Sequence, residues 1–573
     1  MRILLLVHSF NSLSQRLYVE LARDGHVLSL ELDIHERVTH QAVDLFRPDV
    51  ILAPFLKRAI PSSIWQRYPC FIVHPGPPGD RGPAALDWAI LRGEASWGVT
   101  VLQANSELDA GPVWANALFP MRAARKSSLY RNEVTEGAVS AVRCALARIA
   151  AGSGPLSNTH EDWRHGWQPP LPQAQRAIDW ARDDTATVLR KIHCADGYPG
   201  VEDLLFDRPF RLFDAHQEGC LAGRPGMLIA RRHDAICRAT RDGAVWIGQL
   251  QPAQPGQRSF KRPAVLALGA LADSLPRSDS DPNDGGASPG NGEILYEERG
   301  AVGYLHFEFY NGAMSTAQCA RLRTAYAQAT RRPTRVIVLM GGADFWSNGM
   351  HLHCIEAADS PADASWENIN HIDDLAHDIL STDTHLTISA LRGNAAAGGV
   401  FLALAADRVL VRSGVVLNPH YRNMGNLYGS EYWTYLLPRR VGTQAAQAIM
   451  AGRLPLGAQE AAALGLIDDH AGPEAARFLE FVQIYADTLA ASDQFTRALR
   501  EKQARREQDE ALRPLAQYKA EELARMRMNF YGFDPSYHIA RHRFVYRTPH
   551  AWTPLHLARH RRAGFAAQLE ASR

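Results

Sequence analysis

Closely spaced cysteines are missing from this sequence. Its seven cysteines are scattered over 573 residues, and no two of them form a CxxC pair. This pattern gives no sign of a disulfide framework and fits the reduced thiols of a cytoplasmic protein. We therefore expect a cytoplasmic location.

Long apolar runs are missing too. The stretch MRILLLVHSFNSLSQRL begins with a short apolar run that passes directly into polar residues. A secretory signal needs a longer apolar region, and a transmembrane helix needs about 20 apolar residues. The sequence predicts no membrane association, and Ile3–Val7 is predicted to be a first buried strand.

An excess of charge of either sign is also absent, because 62 basic residues face 61 acidic ones and the formal net charge is +1. Such a chain has no global basic field that would attract nucleic acid. No GxGxxG motif follows the first strand, so the dinucleotide-binding fingerprint is absent. The expected partners are small-molecule substrates, without nucleic acid or membrane.

Strand-like and helical segments alternate along much of the chain, which predicts an α/β multidomain protein. At 573 residues, three or four domains are expected. Residues 1–165 are predicted to form an open parallel sheet with helices. Residues 166–272 are predicted to form a small β-barrel-like (OB-like) domain, in which a helix with Asp184 or Thr185 as its N-cap precedes the short strands.

A segment of unusual composition separates the two halves of the chain. Residues 273–292 consist mostly of Ser, Asp, Pro, Gly and Asn. This composition buries little apolar area, so we predict a flexible interdomain linker. Residues 293–485 are predicted to form a second α/β domain, and residues 486–573 a helical carboxyl-terminal extension of it.

A loop rich in proline and glycine follows the apolar run that ends at Val73. In FIVHPGPPGDRG, His74 stands at the end of a predicted strand, where open α/β sheets place their ligands. Taken alone, the stretch is better explained as a turn with a solvated histidine. Asp109 ends another strand-like run, and it would by default cap a turn. If the two strands are parallel neighbours, however, both residues converge on one edge and could move a proton.

The segments PDVILAPF, VHPGPPGDRGPAALDWAI, LDAGPVWA and KSSLY resemble the formyltransferases and hydrolases that use 10-formyltetrahydrofolate. The resemblance covers about the first 260 residues and implies a formyltransferase-like, folate-binding domain over 1–165. It implies catalytic roles for His74 and Asp109. It further implies a folate pocket formed by Gly76, Pro77, Gly79 and Asp109.

One position departs from that family, because its catalytic Asn falls on Ile72, which cannot donate a side-chain hydrogen bond. Loss of one oxyanion donor typically costs about two to three powers of ten in rate. Either another group takes its place, or the acceptor is easier than an amine. A thiol would be easier, because a thiolate is a strong nucleophile.

Two glycine turns, GGADFWSNGMHL and RGNAAAGGVFLALAADRVL, stand where predicted strands pass into helices. With NGAMS and AGRLPLGAQEAAALGLID they resemble the crotonase (enoyl-CoA hydratase/isomerase) family over residues 293–485. The resemblance implies coenzyme A binding, with a thioester oxygen held by backbone N–H groups. The implied oxyanion-hole and CoA-binding residues are Asn348, Gly349, Met350, Gly398 and Gly399.

The two glutamates of the hydratases fall on Phe401 and His420, so ordinary hydration of an enoyl-CoA is not expected. The neighbouring segment NPHYRNMGNLYGSEYW offers Tyr421 and Glu431. We predict that these two form the catalytic relay, with His420 as an alternative base. Tyr421 could instead be a packed ring with a satisfied hydroxyl.

Two further groups of residues have simpler explanations. In HLHC, the histidines and Cys354 are too close together for a full ligand set, so no metal is predicted and the segment is expected to begin a helix. The basic carboxyl-terminal stretch has no known nucleic-acid-binding module. Arg541, Arg543 or Arg547 are therefore candidates for contacts with CoA phosphates.

The fusion of a formyl-donor part to an acyl-CoA part resembles the HypX/HoxX family of hydrogenase maturation factors, also in HPGPPGDRGPAALDWAI and TPLHLARHRRAG. That resemblance implies formyl transfer from 10-formyltetrahydrofolate to CoA. Decarbonylation of formyl-CoA to carbon monoxide for a nickel–iron hydrogenase would follow, with transient contact with its maturation proteins. Two alternatives remain: a formyltetrahydrofolate hydrolase with a CoA-sensing domain, and a non-catalytic scaffold.

The linker assignment predicts where a protease cuts first. Brief trypsin treatment of the native chain should cleave within residues 273–292 before other positions, leaving two stable fragments. Mass spectrometry of the fragments locates the cut. Early cleavage at other positions, with this segment intact, would contradict the boundary.

Overall fold

A computed structural model describes residues 1–157, 166–278, 292–472, 474–491 and 495–562. The chain divides into two compact units, Met1–Ser278 with Pro549–Arg573, and Asp279–Thr548. Most of the predicted linker over 273–292 therefore lies outside the described residues. No helix in the described ranges is both long and apolar enough to cross a bilayer.

The first part of unit 1 is an α/β layer. Its strands are β1 (Arg2–Val7), β2 (Val27–Leu32), β3 (Val50–Ala53), β4 (Cys70–His74), β5 (Asp80–Arg81), β6 (Ser96–Gln103), β7 (Val113–Pro120) and β8 (Gly166–Trp167). Its helices are α1 (Ser12–Arg23), α2 (Glu36–Phe46), α3 (Ser62–Trp65), α4 (Ala85–Arg92), α5 (Lys126–Leu129) and α6 (Thr135–Ala150). The main sheet has the order β2-β1-β3-β4-β6-β7.

Strands β1 to β4 are parallel, as predicted, while β6 and β7 are antiparallel additions at one side. The predicted strand Ile3–Val7 is confirmed within β1, where all five residues are buried. Asn11 caps α1 by accepting the Ser14 N–H. Because parallel strands end at one edge, this arrangement brings the loop after β4 to the edge where ligands bind.

The second part of unit 1 is antiparallel. It contains α7 (Gln173–Arg176), α8 (Thr185–Ala195), β9 (Val201–Leu205), β10 (Arg208–Glu218), β11 (Leu228–Arg232), β12 (Ala235–Ala239), β13 (Ala244–Pro252), β14 (Arg262–Pro263) and α9 (Ala264–Leu268). The sheet order is β11-β12-β13-β10-β9, with β14 on β13. An ion pair between Arg238 of β12 and Asp203 of β9 draws the two sides together. Asp184 is the N-cap of α8, as predicted.

Unit 2 is a second α/β layer. Its strands are β15 (Ile294–Arg299), β16 (Val302–Phe307), β17 (Val336–Gly341), β18 (Phe345–Ser347), β19 (Leu386–Leu391), β20 (Asn394–Ala396), β21 (Arg408–Arg412), β22 (Val416–Asn418), β23 (Leu456–Gly457) and β24 (Asp469–Ala471). The larger sheet has the order β15-β16-β17-β19-β21-β24, and a smaller one has the order β18-β20-β22-β23.

Eleven helices cover these sheets among the described residues. They are α10 (Thr316–Ala329), α11 (Leu352–Glu356), α12 (Pro361–Ser381), α13 (Gly398–Leu404), α14 (Trp433–Val441), α15 (Thr443–Gly452), α16 (Ala458–Ala463), α17 (Ala475–Ala491), α18 (Phe495–Leu512), α19 (Leu515–Tyr531) and α20 (Ser536–Val545). The predicted extension over 486–573 is divided. Its helices to Thr548 belong to unit 2, whereas the chain from Pro549 belongs to unit 1.

The returning carboxyl-terminal segment is fixed to β2 through a buried acid. Glu31 is fully buried and accepts hydrogen bonds from His560 (2.9 Å), Arg561 (2.9 Å) and Thr553. The Leu30 N–H also donates to the Leu557 carbonyl at 3.1 Å. Burial tends to raise the pKa of Glu31, but the hydrogen bonds from His560, Thr553 and Arg561 outweigh it and lower that pKa.

Replacing this acid tests how much the segment contributes to unit 1. Glu31→Gln should lower the free energy of unfolding by about 3 kcal/mol at neutral pH, because His560 and Arg561 lose a charged acceptor. Since the folded pKa is lowered, the contribution is present above the unfolded pKa and is lost as pH falls through the folded value. The difference from wild type, measured by urea unfolding, should therefore shrink in acid. Glu36→Gln, on an exposed side chain of α2, is the control; equal stability of Glu31→Gln would contradict the prediction.

Candidate active sites

The first candidate site lies at the end of β4, in unit 1. His74 is its last residue, and its imidazole lies between two carboxyl groups. Nε2 is 2.7 Å from Asp80 Oδ2, and Nδ1 is 3.7 Å from Asp109 Oδ2. The Asp80 side chain is 0% exposed and that of Asp109 is 19% exposed. The ring therefore has an inner carboxyl partner at hydrogen-bond distance and an outer one beyond it.

The loop of Pro75–Gly79 has a definite shape. The Trp97 indole donates to the Pro75 carbonyl at 2.9 Å, and the Thr100 hydroxyl donates to the Gly76 carbonyl at 2.8 Å. Gly79 has a φ of 89°, in the left-handed region that favours glycine. The Asp80 N–H then donates to the Pro77 carbonyl at 3.1 Å. These contacts return the chain to His74 within six residues.

Gly76, in the predicted folate pocket, has a local reason to be glycine. A β-carbon there would collide with Asp80 Oδ2 and lie 2.7 Å from His74 Nε2. The missing side chain therefore leaves room for the hydrogen bond between His74 and Asp80. Pro77 and Gly79 belong to the same loop, so the predicted folate-binding glycines and proline do adjoin His74.

The route by which Asp109 reaches His74 differs from the one expected. The condition of two parallel strands is not met, because β6 runs antiparallel to β4, with Thr100 opposite His74. The loop over 104–112 carries the chain back towards the ring. Asp109 lies in that loop with a φ of 54°, and its Oδ2 accepts the Gly82 N–H at 3.1 Å.

Sequence reasoning missed Asp80. The available signal was an acidic residue directly after a proline- and glycine-rich loop that begins at a histidine. Ile72, where the family Asn would stand, packs against the apolar cluster of the first sheet. Two carboxyl groups, of Asp80 and Asp109, lie beside His74, and position 72 supplies no side-chain amide.

The second candidate site lies in unit 2, where β18 and β20 end side by side as parallel strands. The turns after them meet, and a β-carbon on Gly349 would lie 3.5 Å from the Gly398 nitrogen. Gly349 has a φ of 73°, and its N–H donates to the Ser347 hydroxyl at 3.1 Å. A β-carbon on Gly399 would collide with the Ser347 carbonyl. The predicted cluster of Asn348, Gly349, Met350, Gly398 and Gly399 is therefore brought together.

The backbone before Gly398 is strained. Ala397 has a φ of 50° and a ψ of −129°, which costs free energy in a residue with a β-carbon. Gly398 begins the buried helix α13, and the first N–H groups of a helix have no acceptor within it. A strained residue thus sets the orientation of an N–H group that is available to a ligand.

Tyr421 and Glu431 are in direct contact beside this turn. The Tyr421 hydroxyl donates towards Glu431 Oε2 (2.6 Å) and the Ser430 carbonyl (2.9 Å). Both side chains are buried, and a β-carbon on Gly398 would collide with the Glu431 carboxyl. The ring of Phe401 stacks on Tyr421, with centroids 5.4 Å apart. The acid therefore lies directly over the second glycine turn.

Burial controls the protonation of this pair. It raises the pKa of Glu431 to about 8, with a further contribution from the negative charge of Asp373 and opposed by the Tyr421 hydrogen bond. Burial and the Glu431 charge also hold the pKa of Tyr421 well above its ordinary value. At neutral pH the acid thus keeps its proton, and the phenol is not ionised.

Two buried acids that sequence reasoning missed hold the loop of Glu431. Asp373 accepts the Ser430 hydroxyl (2.7 Å) and the Glu431 N–H (2.8 Å). Glu522 accepts the N–H groups of Tyr432 (2.9 Å) and of Thr434 (2.8 Å). Burial raises the pKa of Asp373 to about 6 and that of Glu522 to about 8. Their helices, α12 and α19, are distant in sequence, so no local motif pointed to them.

Other candidate residues have structural partners. His351 caps α11, so HLHC begins a helix as expected. Arg541 is buried, and its Nε bonds Glu356 at 2.7 Å, which leaves it poorly suited to a phosphate. Arg543 and Arg547 lie at the end of α20 and just after it. In the described part of the chain, no three His, Cys, Asp or Glu side chains are grouped to hold a metal ion.

Comparison with known proteins assigns families to both units. Residues 31–144 match the formyl transferase family, residues 170–259 its C-terminal domain, and residues 302–530 the enoyl-CoA hydratase/isomerase family. The methionyl-tRNA formyltransferase of Citrifermentans bemidjiense is 26% identical over 36% of the chain and 64% of that relative. Formyltransferase-like and crotonase-like domains were both expected from the sequence, and the α/β multidomain fold is confirmed.

Some relatives match almost the whole chain. The hydrogenase maturation factor HoxX of Bradyrhizobium diazoefficiens is 54% identical over 98% of this chain and 97% of its own length. The crystal structure of HypX from Aquifex aeolicus in complex with tetrahydrofolic acid is 48% identical, with a TM-score of 0.94 over 98% of this chain and 99% of that one. Taken with the two site geometries, this similarity shows that the chain belongs to the HypX/HoxX family of hydrogenase maturation factors.

Proposed function

We propose that this protein makes carbon monoxide for the iron of a nickel–iron hydrogenase in two reactions. The first transfers the formyl group of 10-formyltetrahydrofolate to the thiol of CoA. The second converts formyl-CoA to carbon monoxide and CoA. The observation that carries the proposal is the buried Tyr421–Glu431 pair over Gly398, with Phe401 and His420 at the hydratase glutamate positions.

Formyl transfer is assigned to the site at His74. The CoA sulfur forms a bond to the formyl carbon, and the bond from that carbon to folate N10 breaks. The thiol proton passes to His74 and then to N10, so the reaction needs no other reactant. Folate binding is supported by the complex of the Aquifex aeolicus relative with tetrahydrofolic acid. Ile72 stands where the family has its catalytic Asn, and the loss of that hydrogen-bond donor favours a thiol acceptor over an amine, which is a weaker nucleophile.

Decarbonylation is assigned to the site at Glu431. N–H groups of Met350 and Gly398 hold the thioester oxygen. The formyl proton leaves carbon, the carbon–sulfur bond breaks, and the same proton ends on sulfur, which gives carbon monoxide and free CoA. Tyr421 touches Glu431, so the two can accept this proton and return it without water. A hydratase instead adds water and uses a pair of glutamates for this step. Phe401 and His420 stand at those two positions here, so the pair is missing.

The remaining assignments follow from this chemistry and from composition. The substrates are small molecules, with no resident metal and no nucleic acid. Carbon monoxide is used by another protein, so transient contact with hydrogenase maturation proteins is expected. The isolated cysteines support a cytoplasmic location.

Carbon monoxide trapping tests the two-step scheme. The protein, 10-formyltetrahydrofolate and CoA should convert reduced haemoglobin to its carbon monoxide form. His74→Ala should lower the rate of carbon monoxide formation at least 100-fold, because a positioned base is lost. The same variant should still release carbon monoxide from added formyl-CoA. Formate as the only product would instead identify a hydrolase. The absence of any turnover by the wild type would favour the alternative of a non-catalytic scaffold.

The second site makes its own prediction. Tyr421→Phe and Glu431→Gln should each slow carbon monoxide release by at least 100-fold while formyl-CoA accumulates. Tyr326→Phe is the matched control, since that buried hydroxyl bonds Thr382 away from the site. Because the pKa of Glu431 is raised to about 8, its ionised form increases with pH, and wild-type release should rise towards pH 8 and then level off. A flat pH profile, or normal rates in both variants, would contradict the relay.

A further inference from the structure

The hydrogen bond between His74 and Asp80 distinguishes the two nitrogens of the imidazole. Nε2 lies 2.7 Å from Asp80, whereas the 3.7 Å between Nδ1 and Asp109 is too long for a hydrogen bond. A carboxylate accepts hydrogen bonds, so Nε2 carries the ring hydrogen and Nδ1 presents its lone pair. The lone pair faces the side of Asp109, the more exposed of the two acids.

Asp80 is placed at a cost in stability. Among the residues that the structure describes, its second oxygen, Oδ1, is buried and receives no hydrogen bond. An unpaired buried carboxyl oxygen destabilises a fold. The hydrogen bond between His74 and Asp80 requires glycine at position 76, because a β-carbon there would collide with the Asp80 carboxyl. Glycine loses more backbone entropy on folding than other residues do. Packing alone would favour an apolar residue at position 80, so the acid has another reason to be there.

We propose that Asp80 is a positioning residue that orients His74 and fixes its tautomer, so that Nδ1 is the base in formyl transfer. This rests on the proposed function of the His74 site. Asp80 acts only through the ring and does not touch the substrate. As the CoA sulfur attacks, its proton moves to Nδ1, and the resulting imidazolium lies between Asp80 and Asp109. The proton then passes to folate N10, so no group is left changed.

The role of Asp80 also bears on the missing Asn at Ile72. With no amide at that position, His74 has to serve the reaction without a neighbouring side-chain donor on β4. An imidazolium that forms between two carboxyl groups is stabilised by both charges. Its Nδ1 hydrogen faces the side of Asp109, the more exposed of the two acids. The second acid therefore strengthens the one catalytic side chain that the strand retains.

Asp80→Asn tests the proposal in the full-length protein. The amide can donate to Nε2 and favour the opposite tautomer, with little change in volume. We expect kcat for formyl-CoA formation to fall at least 100-fold, with KM for CoA and for 10-formyltetrahydrofolate changed less than threefold. Tetrahydrofolate binding and carbon monoxide release from added formyl-CoA should be unchanged. Asp87→Asn, at a buried acid paired with Lys126 and Arg176, is the matched control.

Gly76→Ala provides a second variant that leaves all charges in place. Its β-carbon would push into the hydrogen bond, so kcat should fall in the same way, and the double variant should be no slower than the slower single one. The proposal is overturned if His74→Ala abolishes transfer while Asp80→Asn keeps kcat within threefold. Loss of tetrahydrofolate binding in Asp80→Asn would also overturn the proposal, because it would show that Asp80 has a structural role. An inactive wild type would contradict the proposed function instead.

Discussion

Carboxyl groups held away from water organise both units. A buried acid either receives hydrogen bonds that stabilise its charge or keeps its proton. Glu31 takes the first course, because three donors from the carboxyl-terminal segment surround it. Glu431 and Glu522 also receive hydrogen bonds, but burial outweighs these bonds and raises the pKa of each acid to about 8. Buried acids thus hold the carboxyl-terminal segment against β2 and the loop of Glu431 against α12 and α19.

Glycine provides the space that such acids occupy. A β-carbon at Gly76 would collide with the Asp80 carboxyl, and one at Gly398 would collide with the Glu431 carboxyl. In each case the glycine lies just beyond a strand, and the acid belongs to a later segment of chain that turns back onto the glycine. Glycines at strand ends are usually explained by φ alone. Here both are needed because an acid fills the position of the missing side chain.

The parts predicted from sequence are the local ones. The pattern of apolar and polar residues predicted the alternating strands and helices. The contact between Tyr421 and Glu431 spans only ten residues. Asp373 and Glu522 reach the same loop from positions 58 and 90 residues away, so only the packing of α12 and α19 brings them there. The direction of β6 stayed open in the sequence analysis for a related reason, because the residues of a strand do not determine whether its neighbour runs parallel or antiparallel.

The two sites suit the proposed reactions because they handle protons differently. A thiol proton is easily removed, and an imidazole between two carboxyl groups can take it and release it to folate nitrogen. A formyl proton is bound to carbon and needs a stronger base. A carboxylate is a weak base in water, but burial raises the pKa of Glu431 from 4.5 to about 8. Its ionised form is thus a stronger base than an exposed glutamate. Its protonated form remains available at neutral pH to return the proton to sulfur.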